Sequence, residues 1–137
     1  MGFLIKIYDQ LHIDLFKLKG LLKDAYSFLF VKIYLIILVL SNLFLWYFSY
    51  LMYQRTTQDV AILHYNVDFG INLIGDKANF FVIPLLSLIF IILNQVLLLL
   101  LVKKNDFKFW AYFLLSFLSL FHAFLIMSII SIYSINF

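Results

Sequence analysis

The chain has 137 residues, of which 66% are hydrophobic and only 12% charged, with a mean hydropathy of +1.06 and a formal net charge of +3. Soluble domains average roughly 45–50% apolar and about 25% charged residues, so this composition excludes a soluble globular protein. It leaves room for a few membrane-spanning helices and no separate soluble domain. Cysteine is absent and all seven acids are Asp, which excludes disulfides and thiolate metal sites; no cofactor and no nucleic acid are expected among the partners.

Residues 1–26 read as an amphipathic segment, cytoplasmic or interfacial. Tyr8, Leu11, Leu15, Leu18 and Leu22 recur at steps of three and four, the stripe of an amphipathic helix, with Gln10, Asp14, Lys17 and Asp24 elsewhere around it. Gly20 weakens that helix by about 1 kcal/mol relative to Ala and permits a bend. His12 lies close to the stripe and reads as an interfacial side chain. No cleavable signal is expected, because Asp9 and Gln10 interrupt the first apolar residues and no small-residue cleavage site follows. Myristoylation at Gly2 is not expected either, because Lys6 stands where Ser or Thr is needed.

Residues 27–53 form the first run able to span a bilayer, which takes about 20 apolar residues. A backbone in lipid must satisfy its own polar groups, so the run is helical. Lys32 snorkels to the interface and shortens the hydrocarbon part. Helical spacing puts Asn42, Ser49 and Tyr53 on one face, with Trp46 beside them.

The stretch 54–78, "QRTTQDVAILHYNVDFGINLIGDKA", is too long for a simple helix–helix connection, usually 2–8 residues, and too apolar for a solvated loop. Val60, Ile62, Tyr65, Val67, Phe69, Ile71 and Leu73 partly alternate, which suits a short strand or hairpin at the membrane–water interface or over the helix ends. Gly70 and Gly75 are expected at turns needing positive φ, and Asp76 or Asn79 caps the next helix. His64, Asn66 and Asp68 form a period-two polar row. Such a row suits a metal, a headgroup or a peptide, and equally the solvent face of a strand; a lone His is weak evidence for zinc. His64 and Asn66 are expected to fasten an ordered loop through hydrogen bonds.

Residues 79–102 form the second span, with Pro84, Ser87, Ile91 and Asn94 on one face and Gln95 at its edge. After a short turn, 103–106, residues 107–137 form the third span and a short tail. There Ser116, Ser119, Ala123, Met127 and Ser134 share a face expected to pack against its neighbours. His122, near mid-span, invites a functional reading. No acid lies deep in any span, so a packed neutral ring held by a Ser or Asn of another helix is expected. Asn42, Asn94, Gln95 and His122 are thus the intramembrane polar candidates.

Lysine and arginine set the orientation. Lys6, Lys17, Lys19, Lys23 and Lys32 crowd the N-terminal region, and Lys103, Lys104 and Lys108 the second turn, against Arg55 and Lys77 in the first loop. The N-terminus and the 103–106 turn are expected in the cytoplasm, and the long loop and the C-terminus outside an inner (plasma) membrane. No nucleotide-binding glycine loop, nucleophile elbow or metal-binding helix motif is present, and no catalytic residue is assigned.

"HYNVDFGINLIGDK" followed by "FFVIPLL" resembles the loop-plus-helix signature of a bacterial membrane domain family of unknown function, which also forms the N-terminal part of immunity proteins against a sporulation-delaying toxin. His64, Asn66, Gly75, Lys77 and Pro84 match its pattern in order and spacing. Ile62 stands where the family often has Pro, Gly70 lies later than its middle Gly, and Asn72 replaces a common acid. The resemblance covers about residues 55–95 and implies an extracytoplasmic loop that seeds a membrane helix. The reading is therefore an all-α membrane protein with three transmembrane helices, an N-terminal amphipathic helix and a structured extracytoplasmic loop. Its expected role is non-enzymatic, of toxin-immunity or envelope-sensing type, with His64, Asn66, Gly70, Gly75, Lys77 and Pro84 as the loop's recognition or structural residues. An accessory subunit of a larger membrane complex is the alternative, and a transporter component the third. The expected partners are the lipid bilayer and other membrane chains or further copies of this one.

Overall fold

Long apolar runs become helices wherever water is scarce, and three do so here. In a computed structural model that describes residues 17–66 and 70–137, the order is helix α1 (residues 17–25), helix α2 (Leu29–Arg55), strands β1 (Val60–Asn66) and β2 (Gly70–Asp76), a 3-10 turn (Lys77–Phe81), and helices α3 (Val82–Leu101) and α4 (Phe107–Asn136). The two strands form an antiparallel hairpin, so among the described residues the mainly helical fold carries one small sheet. Tyr8, Leu11, His12 and Leu15, and with them most of the amphipathic stripe, lie outside the described residues.

At 1.5 Å per residue, the 27 residues of α2 and the 30 of α4 extend for about 40 and 45 Å, the thickness of a bilayer including its headgroups. Together with Lys77–Leu101 they are long and apolar enough to cross a membrane, and they expose large apolar side chains such as Leu40, Leu100 and Phe117. In water such a surface would drive aggregation; in lipid it is the solvated surface.

Inside the three-helix bundle the core is split. One apolar cluster joins Ala25, Val31, Leu38, Ile91, Leu98, Phe107, Ala111, Leu115 and Leu118. A second joins Leu45, Met52, Phe80 and Ile129 with Ala61 of the hairpin. The buried polar side chains Asn42, Ser87 and His122 belong to neither cluster.

α2 and α3 bury the faces expected from the sequence: Asn42 and Ser49 on α2, and Pro84, Ser87, Ile91 and Asn94 on α3. α4 does not. It buries Phe107, Ala111, Leu115, Leu118, His122 and Ile129, and leaves Ser116, Ala123 and Met127 exposed. The reason is local. Ser119, Ser128 and Ser134 each donate to the carbonyl four residues earlier, on Leu115, Phe124 and Ile130. A serine satisfied by its own helix needs no partner across an interface, so small polar residues do not mark the inner face.

The bundle is tied at the α1 end by Lys103 Nζ on Asp24 Oδ2 at 2.6 Å and by the Tyr26 hydroxyl, which donates to Gln95 Oε1 at 2.7 Å. Burial pushes the Tyr26 phenol above its ordinary range, which keeps it a donor.

Candidate functional site

Two sets of polar groups stand out, one inside the bundle and one where the hairpin meets the helix ends. The inner set crosses all three long helices. Asn42 Nδ2 donates to the Pro84 carbonyl at 2.9 Å and to Ser87 Oγ at 2.8 Å. Ser87 Oγ lies 2.7 Å from His122 Nε2, and His122 Nδ1 lies 3.0 Å from the Leu118 carbonyl. A carbonyl only accepts, so Nδ1 carries a proton; in a neutral ring Nε2 then accepts from the Ser87 hydroxyl, whose oxygen accepts from Asn42. Every donor in this chain has an acceptor without any carboxylate. Ser87 is fully enclosed and its neighbours nearly so. The Ser–His contact thus joins α3 to α4 inside the bundle.

Pro84 explains a second buried contact. Lacking an N–H, it cannot donate to the carbonyl four residues back, which belongs to Phe80. Ser49 Oγ on α2 donates to that carbonyl instead, at 2.9 Å. Asn94 Nδ2 donates to the Leu114 carbonyl at 3.0 Å. Among the described residues, the buried atoms Asn94 Oδ1, Gln95 Nε2 and Ser41 Oγ have no partner.

The hairpin end is built from β1, β2 and the last turns of α2 and α4. Strand alternation sends Ala61 into the second apolar cluster, while Val60 on the opposite face is half exposed. Asn136, in the last turn of α4, grips β1 from the side. Its Oδ1 accepts from the Ile62 N–H at 2.9 Å, and its Nδ2 donates to the Ile62 carbonyl at 2.7 Å and the Ile132 carbonyl at 2.8 Å. The side-chain amide thus occupies the place of a neighbouring strand. The sequence leads one to expect fastening by His64 and Asn66; Asn136, which it does not single out, also holds β1. The only available signal was an amide among aliphatic residues at a helix end.

His64 is exposed, pairs with Leu73 across the hairpin, and lines a groove of about 460 Å³ with Leu63, Phe124, Met127, Ser128 and Ser131. Asn66 pairs with Gly70 at the other end of the strands; Asp68 lies outside the described residues. Gly75 sits inside β2 with no positive φ. Its role is steric, because an added Cβ would lie 2.6 Å from both Leu63 Cδ1 and Asn79 Nδ2. The expectation of a turn glycine at 75 is therefore corrected to a close-approach glycine.

Lys77 is held three ways: its N–H donates to the Asp59 carbonyl at 3.1 Å, its Nζ pairs with Asp59 Oδ1 at 3.2 Å, and its Nζ sits 5.2 Å from the Tyr53 ring centroid. Asp76 Oδ1 accepts from the Ala78 N–H at 2.6 Å and caps the 3-10 turn. A cavity of about 580 Å³ opens between the strands and the helix ends. Its lining includes Val60, Ile62, Ile71 and Ile74 of the hairpin, with Arg55 at the end of α2. Arg55 Nη1 donates to the Tyr133 hydroxyl at 3.1 Å. Among the described residues, no three of His, Cys, Asp and Glu come together as a metal site.

Comparison with protein-family models, with curated proteins and with solved structures finds no match for this chain.

Proposed function

We propose that this is a small, non-enzymatic, multi-pass inner-membrane protein of toxin-immunity or envelope-sensing type, which recognises its partner with the hairpin. The N-terminus and the 103–106 turn lie in the cytoplasm, and the hairpin and the C-terminus outside, as the lysine distribution favours. The observation that carries the reading is the construction of the hairpin. Asn136 and Ala61 fix one side of it to the bundle, while Val60, Ile71 and Ile74 are held half exposed around a cavity. Rigid presentation of apolar groups lowers the ordering cost of binding. The sequence resemblance over residues 55–95 supports only the extracytoplasmic placement of the loop.

The test is protection. Bacteria producing the chain are challenged with membrane-active peptide toxins, beside cells producing Ile71→Asp or Ile74→Asp at equal membrane levels. Protection that the substitutions abolish is the expected result. No protection by the parent chain, with co-purification of a stoichiometric unrelated membrane protein, would replace this reading with that of a complex subunit. Cys placed at Thr57 and at Asn105 should label from opposite sides with an impermeant thiol reagent; labelling from one side sinks the topology.

A further inference from the structure

Two properties of the hairpin oppose each other, and together they fix its depth. The first is apolar exposure: Val60, Ile71, Leu73 and Ile74 are each about half exposed, at 52, 49, 53 and 58%. The second is an open edge. Because the Ile62 N–H and C=O both go to Asn136, Ile62 and Ile74 form the kind of antiparallel pair that exchanges no hydrogen bonds. The N–H and C=O of Ile74 therefore point away from β1, and among the described residues nothing bonds them. Apolar side chains pull the hairpin out of water. A backbone edge without partners keeps it out of hydrocarbon, where no water can satisfy it.

We infer that the hairpin lies in the interfacial layer of the bilayer leaflet that meets the C-terminal end of α4, with β2 turned toward the lipid headgroups. Its occupant is lipid. Three further observations set the level. Asn136, which holds Ile62, is in the last turn of a helix long enough to reach through the headgroups. Tyr47, Tyr50 and Tyr53 in the last turns of α2 and Tyr133 near the end of α4 form a belt of amphipathic rings at this end. The groove beside Leu63 and His64 continues along α4 past Ile132, Met127 and Phe124, toward the depth of acyl chains. The headgroup layer is about 5–7 Å thick on each side, so the range of allowed depth is narrow. This inference does not depend on the recognition reading, although any partner of the hairpin would then arrive in the plane of the leaflet.

The chain contains no Cys, so single nitroxide labels can be placed in the otherwise unaltered protein, in vesicles of phosphatidylethanolamine and phosphatidylglycerol. Labels at Leu73→Cys and Ile74→Cys are compared with a water reference at Asp59→Cys and a hydrocarbon reference at Leu93→Cys. Collision with oxygen and with a water-soluble nickel chelate should place both hairpin labels between the references, near the phosphate level. Values equal to the Asp59 reference, or equal to the Leu93 reference, overturn the inference. In the unlabelled protein the Ile74 amide should exchange within seconds, as in hydrated headgroups; protection of that amide in vesicles overturns it equally.

Discussion

Replacing Asn136 with Ala removes the two hydrogen bonds that join α4 to β1, at 2.9 and 2.7 Å. Each contributes about 0.5–1.5 kcal/mol net, so the hairpin should lose about 1–3 kcal/mol of its attachment. At about 1.4 kcal/mol per factor of ten, that is roughly a 5- to 150-fold rise in the open population. Hydrogen exchange reads it directly. The Ile62 amide loses its acceptor, and the amides of Ala61 and Gly75, which face each other in the narrow pair beside it, should speed up with it. Amides in the middle of α3 should not change. Asn136→Asp keeps the acceptor but loses both donated bonds, and it puts a negative charge at the negative end of a helix; it should be no better than Ala. If Ile62, Ala61 and Gly75 exchange within a factor of two of the parent in Asn136→Ala, the side-chain amide does not hold the hairpin, and the argument for its fixed position fails.

Ser49→Ala should cost about 1–3 kcal/mol by leaving the Phe80 carbonyl without its donor; in a Pro84→Ala background the restored N–H at position 84 should remove most of that cost, measured by unfolding in mixed micelles. His122→Leu should destabilise by about 1–3 kcal/mol, and His122→Leu with Ser87→Ala should cost less than the sum of the two single changes, because the hydrogen bond they share is lost only once; strict additivity would refute the pairing. Gly75→Ala should be tolerated at a cost of about 1 kcal/mol, because the atoms it meets are side-chain tips, while Gly75→Val should cost about 1–3 kcal/mol as overpacking and expose the hairpin to protease near Arg55.

The three spans were legible because lipid leaves the backbone no alternative to helix over runs as apolar as these. The inner faces of α2 and α3 were legible for a similar reason: Asn42, Pro84, Ser87 and Asn94 carry groups that their own helices cannot satisfy, so they must face protein. On α4 the same reasoning failed, because its serines bond back to their own turns and bulky Leu115, Leu118 and Ile129 do the packing. The hairpin was legible as alternation between Val60 and Leu73 but not in its irregularities, which lie at the register shifts around His64. Asn136 was not legible at all. Its meaning depends on a strand 74 residues away, and nothing local distinguishes it from a polar residue at a helix end.

That separation has a consequence in time. Residues emerge from the ribosome at about 5–20 per second, so β1 exists for roughly 4–15 s before the residue that grips it is made. Throughout that interval β1 has only β2 to pair with, and an isolated two-stranded hairpin is marginal. The attachment of the hairpin is therefore completed only after α4 is in place. A chain stalled before that step carries the hairpin sequence without the contact that holds it to α4.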